Sequence, residues 1–145
     1  MSISVDVVDE VTDGVLDALN HLVPQLSSRA QALDRTSLGV LLASPGVTLF
    51  VARRNGEEIG TLTLVVFSIP SGERAWIEDV VVDESARGSG AGEALVRAAI
   101  AHAASLGLSE VDLTSRPTRT AANALYQKMG FVQRETNVYR LFIEG

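Results

Sequence analysis

The sequence predicts a mixed α/β fold of the α+β kind, in which helices cover a mixed β-sheet. Three β-rich segments separated by turn residues indicate an antiparallel meander in the middle of the chain. A strand, a helix and a second strand follow, an order that normally gives a right-handed crossover with parallel pairing. The 145 residues, 46% hydrophobic and 21% charged, are typical of one domain spanning 1–145.

A strand and two helices are expected before the meander. Ser2 to Val8 alternates apolar and polar residues, which predicts a half-buried strand. Val11 to Leu26 has apolar residues at helical spacing, and Pro24 is expected to kink or end this helix. Ser37 to Ala43 predicts another short helix before the Ser44-Pro45-Gly46 breaker.

Turn residues define the three strands of the meander. Val47 to Arg53 and Glu58 to Ser68 are rich in β-formers, and Asn55-Gly56 between them is a strong hairpin signal. A second turn, Pro70-Ser71-Gly72-Glu73, leads into the strand Arg74 to Val82.

The chain then changes from strand to helix. Ala91 to Leu106 carries a wide apolar stripe, which predicts a helix closed by Gly107. Glu110 to Thr114 is partly β-branched and predicts the strand that completes the crossover.

The C-terminal part predicts one more helix and two strands. Thr118 or Thr120 is expected to cap a helix that runs to Lys128, with Gly130 past its end. Phe131 to Ile143 predicts two short strands split near 135–137.

The composition excludes several function classes. The absence of cysteine rules out disulfides, thiolate nucleophiles and Cys-based zinc sites, and with only two histidines we expect no metal. The net charge of -6 argues against nucleic acid and favours a cationic partner. The N-terminus has no signal pattern, and no apolar run has membrane-spanning length. We therefore expect a cytoplasmic protein that does not bind membranes.

A glycine-rich turn precedes the predicted helix at residue 91. Its sequence is Arg87-Gly88-Ser89-Gly90-Ala91-Gly92. Unbonded N–H groups and the helix dipole favour an anion such as pyrophosphate there, and glycine lets phosphate oxygens approach the backbone. A tight turn without a ligand is the alternative. The spacing does not fit a dinucleotide fingerprint, because Glu93 and Leu95 stand where glycine or alanine is required, and no P-loop lysine is present.

Two segments resemble the GNAT superfamily of N-acetyltransferases. Val80-Val81-Val82-Asp83 followed by the turn 87–92 is similar to the family's Arg/Gln-x-x-Gly-x-Gly/Ala segment. Asn123-Ala124-Leu125-Tyr126 followed by Gly130-Phe131 resembles its second segment. The resemblance covers nearly the whole chain. It implies a mostly antiparallel sheet with a splayed parallel strand pair, and acetyl-CoA wedged between those two strands.

The resemblance also assigns the cofactor contacts. It implies that pantetheine bonds to the backbone of the segment Val80, Val81 and Val82, and that pyrophosphate lies on the backbone of Gly88, Ser89, Gly90, Ala91 and Gly92. Arg87 could add a side-chain donor. Asn123 and Tyr126 complete the predicted cofactor contacts.

Acetyl transfer to an amine needs a proton acceptor, because a lysine-like ammonium costs about 4.6 kcal/mol to deprotonate at pH 7. Glu78 and Asp79 lie just before the proposed cofactor segment. With regular pairing Glu78 shares a face with Val80 and Val82, and Asp79 points the other way. Ile77-Glu78-Asp79 is also similar to the Leu-Glu-Asp of spermidine/spermine N-acetyltransferases, whose glutamate is associated with amine deprotonation. Glu78 is therefore the predicted base; Asp79, a water relay and a purely structural role stay open.

Tyr126 is the predicted general acid. Its phenol, with a pKa near 10, could protonate a thiolate of pKa near 8.5 at a cost of ~2 kcal/mol. A core tyrosine bonded to backbone is the alternative. Asn123 lies three residues earlier, on the same helical face, and is a candidate hydrogen-bonding residue rather than a catalyst.

The predicted function is acetyl transfer from acetyl-CoA to a primary amine of a small molecule or peptide, by direct attack in a ternary complex. The alternative is a catalytically silent CoA-binding regulatory module on the same fold. A homodimer through the last strands is plausible. No motif identifies the acceptor.

Overall fold

The structure is a computed structural model that describes residues 2–144, and the chain divides into two compact units, one up to Thr114 and one from Ser115. The elements of the first unit are β1 (Ile3–Val7), α1 (Asp13–Leu26), α2 (Arg35–Ala43), β2 (Val47–Arg54), β3 (Glu57–Ile69), β4 (Gly72–Val82), a short 3₁₀ helix (Glu84–Ala86), α3 (Ala91–Ser105) and β5 (Asp112–Leu113). The second unit contains α4 (Thr120–Lys128). That the whole chain is one domain stays a prediction.

The five strands form one sheet in the order β1-β2-β3-β4-β5. All pairs are antiparallel except β4 with β5, which pair in parallel through Trp76 with Asp112 and Ile77 with Leu113. Asn55 and Gly56 have φ angles of 55° and 77°, as the tight turn between β2 and β3 requires. The predicted meander and the predicted mixed fold are both confirmed.

Helices cover both faces of the sheet. Leu49 and Phe50 are neighbours on β2, so their side chains leave opposite faces. Leu49 lies in an apolar cluster with residues of α1 and α2, including Leu19 and Leu38. Phe50 instead meets His102 of α3 edge to face, with ring centroids 5.9 Å apart. Helices α1 and α2 therefore pack on one face and α3 packs on the other.

Side-chain caps fix the starts of α1 and α2. Thr12 accepts a hydrogen bond from the Val15 amide at 3.2 Å. Asp34 and Ser37 form a reciprocal capping box, with the Ser37 amide donating to Asp34 Oδ1 at 2.7 Å. Pro24 lies inside α1, which ends two residues later, in agreement with its predicted effect.

Helix ends show one confirmed and one wrong prediction. Gly107 follows α3 with a φ of 84°, which confirms it as the residue that closes the helix. The predicted threonine cap of α4 is wrong: Thr120 is already helical, and the cap position belongs to Arg119, which makes no side-chain cap bond. The turn before α4 is instead fixed by Asn123, whose Nδ2 donates to the Arg116 carbonyl at 3.0 Å.

The two strands predicted within Phe131 to Ile143 are not formed, because none of the described residues 131–144 takes part in a sheet. A strand is stable only when a neighbouring backbone satisfies its hydrogen bonds, which a favourable residue pattern alone does not supply. Among residues 2–144 there is also no helix long and apolar enough to cross a membrane.

Candidate active site

A β-bulge interrupts the pairing of β3 with β4. Thr61 pairs with Val81, but Thr63 pairs with Glu78, so two residues of β4 stand opposite one residue of β3. Asp79 lies in the bulge with a φ of 50°, in the left-handed region that aspartate adopts more readily than most residues. The bulge therefore changes the direction of the side chains that follow it.

The bulge overturns the predicted orientation of Glu78. Cross-strand partners leave the same face of a sheet. Glu78 pairs with Thr63, and Val81 pairs with the residue two positions before Thr63, so Glu78 and Val81 share a face. The expectation that Glu78 shares a face with Val80 and Val82 is wrong, because the extra residue shifts the alternation by one.

A cavity of about 300 Å³ opens next to the bulge. We name it the α1–β3 cavity. Its walls are formed by residues of α1, of the loop between α1 and α2, of α2, and of β2 and β3. Asp79 completes the lining, although regular alternation predicts that it points away. The sequence could not show this, because a bulge depends on how two strands pair.

One asparagine holds the loop that walls this cavity. Asn20 on α1 accepts a hydrogen bond from the Leu33 amide at 2.8 Å and donates one to the Leu33 carbonyl at 2.9 Å. Both residues line the cavity. The loop is thus fixed to α1 through its backbone.

The two carboxylates at the bulge are available for a ligand. Glu78 and Asp79 are both exposed, and neither forms a hydrogen bond or an ion pair with another residue in the part of the chain that the structure describes. Partial burial, and then the neighbouring charge of Asp79, raises the pKa of the Glu78 carboxyl above its ordinary value. A higher pKa makes Glu78 a better proton acceptor than an ordinary glutamate.

The glycine turn has the geometry of an anion site. Gly88 and Gly90 have φ angles of 79° and 90°, which favour glycine. A Cβ atom at either position would meet no other atom within 4 Å, so the space above the turn is open. Their amide N–H groups donate to no acceptor within residues 2–144, and Gly90 is the N-cap of α3. The helix dipole adds partial positive charge at this point.

The two parallel strands separate next to the bulge. Strand β4 pairs with β5 only as far as Ile77, while β4 itself continues to Val82. The segment from Glu78 to Val82 therefore has no strand partner on its β5 side among the described residues. This open edge includes Val80, Val81 and Val82, the predicted pantetheine contacts, and confirms the predicted splayed pair.

A polar cluster that the sequence did not reveal joins α1 to the approach of the glycine turn. Asp83 accepts hydrogen bonds from Gln25 at 2.8 Å and from Ser85, and it pairs with His21 at 2.9 Å. Bonds from Ser85, Gln25 and His21, in that order of effect, hold the pKa of Asp83 well below its usual range. His21 and Gln25 lie one helical turn apart, but nothing local in the sequence indicates that their partner is Asp83.

The second unit contains the predicted acid. Tyr126 is buried, and its ring packs edge to face against Phe131 with centroids 5.8 Å apart. Its hydroxyl forms no hydrogen bond with any described residue, so the alternative of a tyrosine bonded to backbone is not seen. Burial raises the pKa of the Tyr126 phenol, with Arg119 acting in the opposite direction. The phenol therefore stays protonated at neutral pH.

The structure brings Glu78, Asp79 and the segment 80–82 together on one stretch of β4, two residues before the 3₁₀ helix that leads to the glycine turn. Asn123 and Tyr126 lie together on α4, in the second unit. No group of three or more His, Asp or Glu side chains within residues 2–144 is arranged to hold a metal ion.

Comparison with known proteins decides the family. The sequence pattern of the Acetyltransferase (GNAT) family matches residues 15–131. The chain belongs to this family. It is accordingly an acetyl-transferring enzyme, and the family uses acetyl-CoA as its co-substrate.

Curated relatives and solved structures agree with this assignment. The GNAT chain is 31% identical over 138 residues to glucosamine 6-phosphate N-acetyltransferase 1 from Oryza sativa subsp. japonica, covering 89% of this chain and 79% of the relative. It is 40% identical over 94 residues to mycothiol acetyltransferase from Amycolatopsis mediterranei, covering 61% of this chain but only 31% of that protein. The structure of a putative acetyltransferase from Agrobacterium tumefaciens has a TM-score of 0.81 at 30% identity, over 98% of this chain and 100% of the other.

The residues present fit the co-substrate of a GNAT enzyme. The glycine turn offers unbonded N–H groups, open space and a helix N-terminus to a pyrophosphate. The open edge of β4 offers backbone to an amide-containing arm, and the α1–β3 cavity lies next to that edge through Asp79.

Proposed function

We propose that this GNAT enzyme transfers the acetyl group of acetyl-CoA to a primary amine of a small molecule or peptide, by direct attack in a ternary complex. The observation that carries the proposal is the bulge, where Asp79 lines the α1–β3 cavity and the neighbouring Glu78 has no partner among the described residues, beside the open edge of β4. A cationic amine in that cavity has an acidic partner next to the expected position of the thioester. The names of the rice and Amycolatopsis relatives also support a small-molecule acceptor.

We propose the co-substrate contacts from the family pattern and, within the first unit, with the support of its geometry. The backbone of Gly88 to Gly92, which includes Ser89 and Ala91, holds the pyrophosphate, and Arg87 is exposed beside it. The segment 80–82 holds the pantetheine arm. Asn123 and Tyr126 contribute from α4. In this role acetyl-CoA supplies the activated acyl group.

In the proposed chemistry, Glu78 accepts one proton and Tyr126 donates one. Glu78 takes a proton from the ammonium, and the neutral nitrogen attacks the acetyl carbon. A carbon–nitrogen bond forms and the carbon–sulfur bond breaks. Tyr126 donates its proton to the departing thiolate, and the proton that the amine nitrogen then loses restores the tyrosine. The Asp79 carboxylate holds the ammonium in place.

Release of free CoA from acetyl-CoA, measured over a panel of amines, tests the proposal. We expect CoA release that depends on the amine, with a mass increase of one acetyl group on the acceptor. A protein that binds acetyl-CoA but releases no CoA with any amine would be the silent module, and the proposed transfer would be wrong. Action in the cytoplasm stays a prediction.

We also propose that two copies of the chain associate through residues 131–144. Six large apolar side chains of this segment are between 71% and 90% exposed in the single chain: Val132, Val138, Tyr139, Leu141, Phe142 and Ile143. This group of exposed apolar side chains supports an interface with a second copy. The residue pattern of the segment also favours strands, and no described residue pairs with it in a sheet. A second copy would supply the partner strand.

A further inference from the structure

We propose that the acceptor is a compact amine with one positive charge and an uncharged, largely apolar body, bound in the α1–β3 cavity with its ammonium on Asp79. This inference rests on the proposed acetyl transfer and narrows it to a substrate class. Three features of the cavity support it: its charge, its polar groups and its size.

The charge of the cavity excludes an anionic acceptor. Asp79 is the one charged residue in its lining, which contains no Arg, Lys or His. A phosphate or carboxylate bound there would lose its hydration without gaining a cation, and it would face the Asp79 carboxylate. The cavity therefore does not suit a phosphorylated amino sugar, the acceptor for which the rice relative is named.

The remaining polar groups are few, and two of them are already engaged. Asn20 uses both ends of its amide on the Leu33 backbone. Thr61 donates its hydroxyl proton to the Phe50 carbonyl at 2.9 Å. Gln31 and Thr63 are the other uncharged polar residues of the lining. An acceptor with many hydroxyl groups would leave most of them without partners, which carries a free-energy cost for each group.

Most of the cavity wall is apolar. Leu19, Val23, Pro24, Leu41 and Leu49 contribute side chains from α1, α2 and β2. This wall favours a hydrocarbon or aromatic body. The lining offers no second carboxylate. The second ammonium of a polyamine would therefore lie against the apolar wall without a partner, which is unfavourable.

The cavity size limits the acceptor to a small molecule. Its volume of about 300 Å³ is at the lower end for ligand sites. A phenethylamine-sized molecule fits this volume and offers one ammonium and one apolar body.

Matched ligands and a conservative variant test the inference directly. Titration calorimetry in the presence of CoA would compare phenethylamine with phenethyl alcohol, which has the same body without the charge. We expect the amine to bind at least tenfold more tightly to the wild type. We expect this ratio to fall to near one in Asp79→Asn, since asparagine tolerates the left-handed backbone but carries no charge. Asp9→Asn, at an exposed aspartate that does not line the cavity, should keep the wild-type ratio.

Acetyl transfer provides the second readout and separates the two proposals. We expect kcat/KM to be at least tenfold higher for phenethylamine than for glucosamine 6-phosphate, the acceptor in the name of the rice relative, or for spermidine. Faster turnover of either of those two would overturn the inferred class while confirming acetyl transfer. Binding of phenethylamine that depends on Asp79, with no CoA release, would support the class and contradict the transfer. Absence of phenethylamine binding, or an unchanged ratio in Asp79→Asn, would overturn the inference.

Discussion

Thr63 of β3 pairs with Glu78 of β4, so the two side chains leave the same face of the sheet. This pairing belongs to the regular register that begins at Gly72, and it turns Glu78 to the face on which α1 and α2 pack. The extra residue at the bulge turns Val81 to the same face, so the bulge sets how the proposed proton acceptor lies relative to the segment 80–82. The proposed role of Glu78 can be tested through the pH dependence of the reaction.

Glu78→Gln should lower kcat/KM on the amine acceptor by ~100-fold at neutral pH, as expected for loss of a general base. The pKa of Glu78 is raised, so wild-type activity should fall as the pH drops through a value above that of an ordinary glutamate. The variant should lose this acidic limb. Its defect should shrink at alkaline pH, where the amine loses its proton without help.

Measuring kcat/KM against pH for the wild type, Glu78→Gln and Glu73→Gln would test this pH dependence. Glu73 is exposed at the start of the same strand, so its variant should follow the wild type. A defect in Glu78→Gln that stays constant up to alkaline pH would exclude proton abstraction by this residue.

The sequence predicted the fold well because its signals were local. Asn55-Gly56 predicted the first hairpin, and Gly107 predicted the end of α3, because each has a backbone geometry that only a few residues adopt. The glycine turn was recognisable for the same reason. These features need no information about distant parts of the chain.

The features that the sequence did not predict are non-local. The bulge at Asp79 depends on the register of β3 against β4, and the contact of Asp83 with Gln25 joins elements far apart in the chain. The strands expected within 131–143 failed for a related reason, since strand formation depends on a partner backbone. The orientation of the proposed proton acceptor Glu78 relative to the segment 80–82 thus required the structure, although the residue itself was proposed from the sequence.

Tyr126→Phe should slow turnover by ~100-fold while leaving acetyl-CoA binding nearly unchanged, because only the proton donor is lost. Burial keeps the wild-type phenol protonated at neutral pH by raising its pKa. Stopped-flow turnover and calorimetric binding would measure the two effects separately. Tyr139→Phe is the matched control, because Tyr139 is 87% exposed. Equal turnover in Tyr126→Phe and the wild type would remove Tyr126 from the acid role.

Gly90→Ala should weaken acetyl-CoA binding and destabilise the fold by ~1–2 kcal/mol, because alanine resists the φ of 90° at this position. The added methyl group meets no protein atom, so the effect on stability is conformational. Gly39→Ala within α2 is the contrasting variant. Its Cβ would make an ordinary contact with Val11 at 3.8 Å, and the substitution should stabilise the fold by ~0.5–1 kcal/mol. Chemical denaturation would measure the stability of both variants, and calorimetry would measure their CoA binding. Normal CoA binding by Gly90→Ala would contradict the proposed pyrophosphate site.

Asp83→Asn should destabilise the first unit at neutral pH, because the ionised carboxylate accepts bonds from Ser85, Gln25 and His21. The pKa of Asp83 is lowered in the folded chain, so its stabilising effect is complete above the ordinary aspartate pKa near 4 and is lost as the pH falls further. The stability difference between the variant and the wild type should therefore begin to shrink below pH ~4 and keep shrinking as the pH falls towards the lowered pKa of the folded chain. Denaturation curves between neutral pH and pH ~3 would measure this, with Asp17→Asn as an exposed control on α1. A difference independent of pH would show that the charge of Asp83 is not responsible.

Leu141→Asp combined with Ile143→Asp should convert a dimer into monomers if residues 131–144 form the interface between copies. The two side chains are 86% and 90% exposed in the single chain, so the substitutions should change the monomer little. In the interface, each aspartate would bury a charge without a partner. Light scattering after size exclusion would measure the mass. Glu135→Asp with Arg134→Lys, in the same segment, preserves charge and should leave the dimer intact. A wild-type protein that is monomeric at all concentrations would contradict the proposed association, whereas a dimer that survives both aspartates would move the interface to another surface.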